Sequence, residues 1–443
     1  MINRRIVCGV LLVTSPWLLA KELLVAHTND FHGHIQQEGQ YAGAAKIAAF
    51  VKELKAQPPA VHFLDAGDAI SGTPVSSMFE GEPIFDVMNT MGYDVGLIGN
   101  HEFDHGYKKI ERFRAIAKHP LLTANAVGPD GKLLGDAPYL LLDIDDIRVG
   151  IIGLITETAP TLFSPTGNQG LTFLNPVDRL NELVPMLRPK ADVLILLSHI
   201  GHAEELVLAE QFQDLDLIIG GHSHTLVQHP VRVGKTLVAQ AHHYGSHLGL
   251  IKITVPDDLQ APLIIQGDLI AANELPQGDP ITQALVSSYE SKVEDQVDIK
   301  IATITKSYSK SQLQPILENI LADAAGADLG YYNRGGIRDV LSAGDITARM
   351  IWNLEPFGNT LVKLTLSGAD LLILLSQEPS LHHVAAKIDP DRRYQLATNS
   401  FIASHATLAF GNAITAIDTG ILVRDILIQQ IKAKGLESSA KAP

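Results

Sequence analysis

Along the first half of the chain, hydrophobic positions gather in short, nearly unbroken runs rather than alternating with polar ones. Leu23–Ala26, Val61–Leu64, Val95–Ile98, Val149–Ile155, Val193–Leu197 and Leu215–Ile219 are such runs, with Thr236–Ala239 and Leu250–Val255 as later candidates. Runs rich in Val, Ile and Leu without a polar face predict strands buried on both sides. Between the early runs, apolar residues recur at helical spacing. This predicts helices over Ala42–Leu54, Ile84–Met91, Tyr107–Ala117 and Val177–Leu187. Strand–helix alternation to about residue 255 argues for one large α/β domain.

The stretch Pro256–Pro280 is looser and proline-rich, and Asp279-Pro280 has the form of a helix start. The helix it opens, Ile281–Val297, reads as a connector between domains. Beyond it, Ile299–Pro443 has its own helix starts at Asp345 and Ser367 and shorter candidate strands at Thr360–Leu366 and Tyr394–Thr398. A smaller α/β or α+β domain is expected there. The predicted division is a leader at 1–20, a large domain at 21–272, a linker helix at 273–298 and a small domain at 299–443.

The leader is predicted from Arg4 and Arg5, which precede the apolar run Ile6–Ala20. That run is shorter than the roughly 20 residues of a spanning helix and ends on a small residue, as a secretory signal does. Cleavage near Ala20 and a periplasmic or secreted destination are expected, with an uncleaved anchor as the rival. Cys8, the only cysteine, lies inside this segment. The mature chain would then have no thiol, which excludes thiol catalysis, thiolate metal sites and disulfides. With 443 residues, 46% hydrophobic and 19% charged, the full chain has the composition of an ordinary globular protein. Its formal charge of −15 argues against a nucleic-acid polymer as partner. Small phosphate esters stay open, because bound cations and a few arginines can reverse the field locally.

Chemistry gathers just after the early strands. The first is followed by Asn29-Asp30-Phe31-His32, the second by Gly67-Asp68, and the third by Gly99-Asn100-His101-Glu102-Phe103-Asp104. Later strands give Ser198-His199 and Gly220-Gly221-His222-Ser223-His224. In open α/β sheets the loops at that end converge on one crevice. Singly, each is explained by a turn, a helix cap or a loop histidine; five in order, each at a strand end, point to a metal centre. Carboxylate and imidazole without thiolate suit Zn, Mn, Fe or similar divalent ions. Asp30 and His32, like His222 and His224, are two residues apart and in extended backbone would point to one face. Asp68 stands alone on its loop and is the natural bridge between two ions. Two metals roughly 3.5–4 Å apart can hold a hydroxide nucleophile and clamp phosphoryl oxygens during in-line displacement.

The ordered series 27–33, 67–68, 99–104, His199 and 221–224 resembles the calcineurin-like metallophosphoesterase superfamily. Within it, the chain is similar to the 5′-nucleotidase/UDP-sugar hydrolase family. The resemblance implies an α/β/β/α four-layer sandwich followed by a smaller α/β substrate-binding domain. It implies one metal on Asp30, His32, Asp68 and His224, and a second on Asp68, Asn100, His199 and His222. It also implies that His101 stabilises the transition state beside Asn100, with Asp104 orienting its imidazole. His34, His105, His242, His243 and His247 are read as structural. In the C-terminal domain, Asn333-Arg334-Gly335-Gly336-Ile337-Arg338 is similar to the family's glycine-rich signature, whose Asn and Arg contact substrate. Phe357 and Phe401 stand where the family holds two rings that sandwich a base.

The chain departs from the family at Ser404–Phe410, where a turn bearing a ribose-gripping aspartate is expected and no carboxylate stands. An expected phosphate-binding arginine ahead of Leu317–Ala324 is also missing, with Lys306 and Lys310 the nearest basic residues. The expectation is a metal-dependent phosphoesterase acting on nucleotide or nucleotide-like monoesters. Alternatives are the same chemistry on cyclic nucleotides, nucleotide sugars or a thiosulfohydrolase-type substrate, or a ligand-binding protein without turnover.

Overall fold

The computed structural model describes residues 21–59, 61–258, 261–376 and 388–436. The expected signal segment and its Cys8 lie outside these residues. The first half folds as two face-to-face sheets. One runs, in spatial order, Ile264–Ala271, His247–Val255, Lys21–Thr28 and Val61–Asp65. The other runs Val231–Val233, Thr236–Ala239, Leu217–Ile219, Val193–His199, Ile147–Ile155 and Tyr139–Ile144.

The unbroken runs are explained by burial on both faces. Val193, Ile195 and Leu197 turn inward against Leu23, Val25, Ile251 and Ile253 of the facing sheet. Leu194 and Leu196 turn outward under Leu180, Leu183 and Leu208 of the helices Pro176–Leu187 and His202–Gln211. The other sheet's outer face is covered by the helices Gly43–Lys55 and Glu82–Met91, through Ile47, Val51, Phe85 and Met88. Helix, sheet, sheet and helix layers follow in that order, the sandwich expected.

The predicted connector is interrupted. Pro280–Glu290 is helical, capped by Asp279, which accepts from Thr282 N at 2.9 Å, and a second short helix spans Glu294–Val297. The C-terminal domain is smaller, with a sheet ordered Leu329–Gly330, Arg393–Asn399, Thr360–Ser367 and Thr415–Leu422 between helical layers. Asp345 does not start a helix. It lies in the strand Gly344–Thr347, paired with Lys300–Ile304, and the helix begins at Ala348. Ser367 does cap its helix, accepting from Asp370 N at 3.1 Å. Ser404–Phe410 is not a turn but the end of the helix Ser400–Phe410, whose cap Asn399 accepts from Ile402 N at 2.8 Å.

The two domains are in contact. Trp352 packs on the core of the first domain. Ser77 Oγ donates to Pro356 O at 2.7 Å, and Arg349 pairs with Glu290 at 2.8 Å and Asp298 at 2.6 Å across the connector.

Candidate metal centre and active site

The loops after the strands Lys21–Thr28 and Val61–Asp65 run side by side: Asp30 N donates to Gly67 O at 2.9 Å, His32 N to Asp68 O at 3.0 Å. This zipper forces a backbone that sequence spacing did not suggest. Asp30, His32, Asp68, His222 and His224 all have positive φ, between 48° and 74°. The extended geometry expected for Asp30/His32 and His222/His224 is therefore replaced by left-handed residues. Asp and His are among the side chains that tolerate this conformation, at a cost of order 1–3 kcal/mol when strained. Glycines make the approach possible: a Cβ on Gly99 would collide with Asp68 Oδ1, and one on Gly221 would lie 2.9 Å from His199 Nδ1.

The expected ligands meet. Asp30, His32 and His224 form one group of converging donor atoms, and Asp68, His199 and His222 another. Asp30 Oδ1 lies 3.3 Å from His224 Nε2 and 3.8 Å from His32 Nε2. Asp68 Oδ2 lies 3.0 Å from His199 Nε2 and 3.8 Å from His32 Nε2, between the two groups. Asn100 makes no side-chain cap bond; its Oδ1 is 2.9 Å from His222 Nδ1.

The donor set fits cations. His199 Nδ1 lies 2.7 Å from Ala66 O, and a carbonyl can only accept, so Nδ1 carries the proton. Its Nε2 is buried without a hydrogen-bond partner and faces the Asp68 carboxylate. His32 repeats the arrangement: Nδ1 donates to Ser71 O at 2.9 Å, leaving Nε2 3.1 Å from His224 Nε2. Lone pairs turned on one another and on carboxylates repel unless a proton or a cation stands among them. Burial, reinforced by Arg338, holds His32 well below its ordinary pKa. Burial, then His199, lowers His222 to about 4. Burial opposes ionisation of Asp68, yet His199 and His101 hold its pKa well below the usual range. His199 goes the other way: burial is outweighed by Asp68, and its pKa rises to about 10. A cation would take the place of that proton.

His101 stands outside these two groups and converges in a third with His32 and Asp68. Its Nδ1 donates to Asp104 Oδ2 at 2.7 Å, and its Nε2 is 3.9 Å from Asp68 Oδ2. Burial lowers its pKa, but Asp104 and Asp68 outweigh burial and hold it above the ordinary value. Asn100, His101 and Asp104 line a cavity of about 210 Å³ with Asp68, His222 and His224. The opposite wall comes from the C-terminal domain: Asn333, Arg338, Phe357 and Phe401, with Asn359. Arg338 Nη2 donates toward His32 Nε2 at 3.2 Å, and Asn333 Oδ1 accepts from Asn399 Nδ2 at 3.0 Å. Among the described residues lining this cavity, the carboxylates are Asp68 and Asp104, both from the N-terminal domain. Of the histidines read as structural, His34 stacks on Tyr244 at 4.0 Å and His243 on His224 at 4.8 Å.

Three residues were missed. Glu102, buried, accepts from Gly99 N at 2.7 Å, Ala69 N at 2.9 Å and Asp68 N at 3.1 Å, tying two ligand loops together. Burial and the Asp68 charge push its pKa up to about 7. Asn29 donates to Asp30 Oδ2 at 2.6 Å and accepts from Ala241 N at 2.8 Å. Gln240 Nε2 donates to Gly221 O at 2.8 Å, steadying the His222–His224 turn. Their signal was position beside ligand residues, not residue type.

Residues 23–226 match the family described as calcineurin-like phosphoesterase, and residues 289–386 match the 5′-nucleotidase C-terminal domain. Protein UshA of Yersinia enterocolitica is 26% identical over 512 aligned positions, covering 95% of this chain and 93% of that one. A 5′-nucleotidase of Vibrio cholerae is 27% identical over 417 positions, covering 80% and 75%. The crystal structure of a 5′-nucleotidase precursor from Thermus thermophilus superposes with a TM-score of 0.83 at 25% identity, covering 93% of this chain and 96% of that one.

Proposed function

The chain belongs to the 5′-nucleotidase family of calcineurin-like phosphoesterases, and from that premise we propose that it hydrolyses nucleotide phosphate monoesters at the cavity between its domains. The observation that carries the reading is convergence. Two His/Asp groups, the His101–Asp104 pair and Arg338 face one cavity from two domains.

The proposed centre would hold two divalent ions, Zn, Mn or similar: one on Asp30, His32, Asp68 and His224, the other on Asp68, Asn100, His199 and His222. When bound, the cations would supply the Lewis acidity that makes phosphorus electrophilic and water nucleophilic at neutral pH. The chain's own groups do the rest. Arg338 presents a planar fork of donors suited to phosphoryl oxygens, with Asn333 beside it. His101 keeps Nδ1 on Asp104, which with Asp68 favours its protonated form, and from the cavity wall it would donate to negative charge that develops on the phosphoryl group. Asn100 borders the same space. Phe357 and Phe401 supply apolar faces for a base.

A second reading, the same chemistry on cyclic nucleotides, nucleotide sugars or a sulfur-bound group, draws support from the lining. Among the described residues lining the cavity the carboxylates are Asp68 and Asp104, and the C-terminal domain contributes none. The test is phosphate release by the metal-loaded protein with AMP, a 2′,3′-cyclic nucleotide, UDP-glucose and p-nitrophenyl phosphate compared by kcat/KM. Preference for AMP is expected; activity confined to the aryl ester would remove nucleotides from the assignment. Export follows as a proposal from Arg4, Arg5 and the run Ile6–Ala20. N-terminal sequencing of the protein from its host should find a start near Lys21. No helix among the described residues is long and apolar enough to cross a membrane.

A further inference from the structure

Phe357 enters the site from the C-terminal domain, and its ring does not stand free in the cavity. It lies against the imidazole of His101, with centroids 5.5 Å apart and planes 14° from parallel. The Arg338 guanidinium carbon sits 5.7 Å from the centroid of the same phenyl ring. The preceding residue is pinned to the other domain, since Ser77 Oγ donates to Pro356 O at 2.7 Å. Ser77 belongs to the helix Pro74–Met78, which follows the loop bearing Asp68. The contact is thus anchored on the segment that builds the metal end of the cavity.

His101 is held from three directions. Asp104 fixes Nδ1 at 2.7 Å, His32 meets the ring edge-on at 4.9 Å and 72°, and Phe357 is the parallel neighbour. Two of these come from the domain that bears His101; the third arrives from the other domain. Without the phenyl ring, that side of the imidazole would open to the cavity and its water. The ring could then turn away, and water could compete for Asp104.

We propose that Phe357 is a positioning residue for His101, completing the packing of its imidazole only when the C-terminal domain is docked through Ser77 and Pro356. The proposal rests on the hydrolase reading above and adds a role that needs no base in the substrate. A ring whose sole task were to stack on a base would leave the turnover of a base-free ester untouched.

The experiment measures kcat and KM on p-nitrophenyl phosphate and on AMP for wild type, Phe357→Ala, Phe357→Tyr and Ser77→Ala. Phe357→Ala should lower kcat about tenfold or more on both esters, the size expected when a catalytic group is misplaced by a fraction of an ångström to an ångström. Phe357→Tyr, which keeps the ring, should restore most of it. Ser77→Ala should move kcat the same way by a smaller factor. A Phe357→Ala enzyme with a raised KM for AMP and wild-type kcat on p-nitrophenyl phosphate would overturn the proposal. A readout independent of turnover is the Cε1–H resonance of His101 in 13C-histidine-labelled protein, assigned with His101→Gln. The phenyl ring current should hold it upfield in wild type and release it in Phe357→Ala. An unmoved resonance overturns the proposal; a moved one in a protein that hydrolyses neither ester sustains the contact and sinks the hydrolase reading instead.

Discussion

Glu205, on the helix His202–Gln211, is fully buried, and neither carboxylate oxygen has a hydrogen-bond partner of good geometry. It presses on Gly220, where a Cβ would collide with Oε2, in the turn that leads to His222. Burial pushes its pKa from an ordinary 4.5 up to about 8. Between those values the native state keeps a proton that the unfolded chain has released. Stability therefore falls as pH rises through that window. At about 1.4 kcal/mol for each tenfold change in proton affinity, the whole window amounts to roughly 5 kcal/mol. That is a ceiling, because water entry or local rearrangement would relieve part of it. Glu205→Gln keeps the shape and cannot ionise, so the variant should escape the loss. Urea unfolding of the metal-free wild type and variant, from about pH 4.5 to about 9, gives the stability difference directly. It should be smallest at the acid end and grow in favour of the variant to several kcal/mol by about pH 8. A difference independent of pH would refute the reasoning, since it would mean that Glu205 titrates alike in both states.

Other outcomes follow from the site. His101→Ala should lower kcat by roughly two to four orders of magnitude with metal content intact; metal analysis beside kinetics checks this, and parallel loss of both would give His101 a ligand's role. Gly99→Ala drives a methyl into Asp68 Oδ1 and should weaken metal binding, read by calorimetric titration; wild-type affinity would show that the loop yields freely. Removing metal with a chelator should abolish turnover and lower Tm, and re-adding Mn or Zn should restore both. Activity that survives chelation would contradict the proposed centre.

The sandwich was legible because its central strands are buried on both faces and announce themselves as continuous apolar runs. Tyr139–Ile144, Ile264–Ala271 and Thr415–Leu422 went unnoticed for the opposite reason. Each is at the end of its sheet and partly exposed, so even the apolar stretch Tyr139–Leu142 is not buried on both faces. Site residues were legible as types at strand ends, but their backbone was not. Period-two spacing suggests extended chain, whereas hydrogen bonds between two distant loops wind Asp30, His32 and Asp68 left-handed. Glu102 shows the same limit. Its motif was visible, yet its task is to gather N–H groups from a loop more than thirty positions away, which only tertiary structure reveals. Ser400–Phe410 is helical because Asn399 caps it, a local signal overlooked in favour of a family turn.

The left-handed wind of the ligand loops bears on which ion the protein will accept. A loop that had to curl around its cation would be tuned to that cation's radius, and exchange would mean refolding it. Here the curl is imposed beforehand by Gly67 O, Asp68 O and the Glu102 carboxylate, which are backbone and buried contacts indifferent to the ion. Swapping one transition metal for a neighbour in the series should then disturb the side-chain tips and little else. Selectivity would fall to supply in the compartment where the chain resides, and the same polypeptide could serve with different ions as its surroundings change.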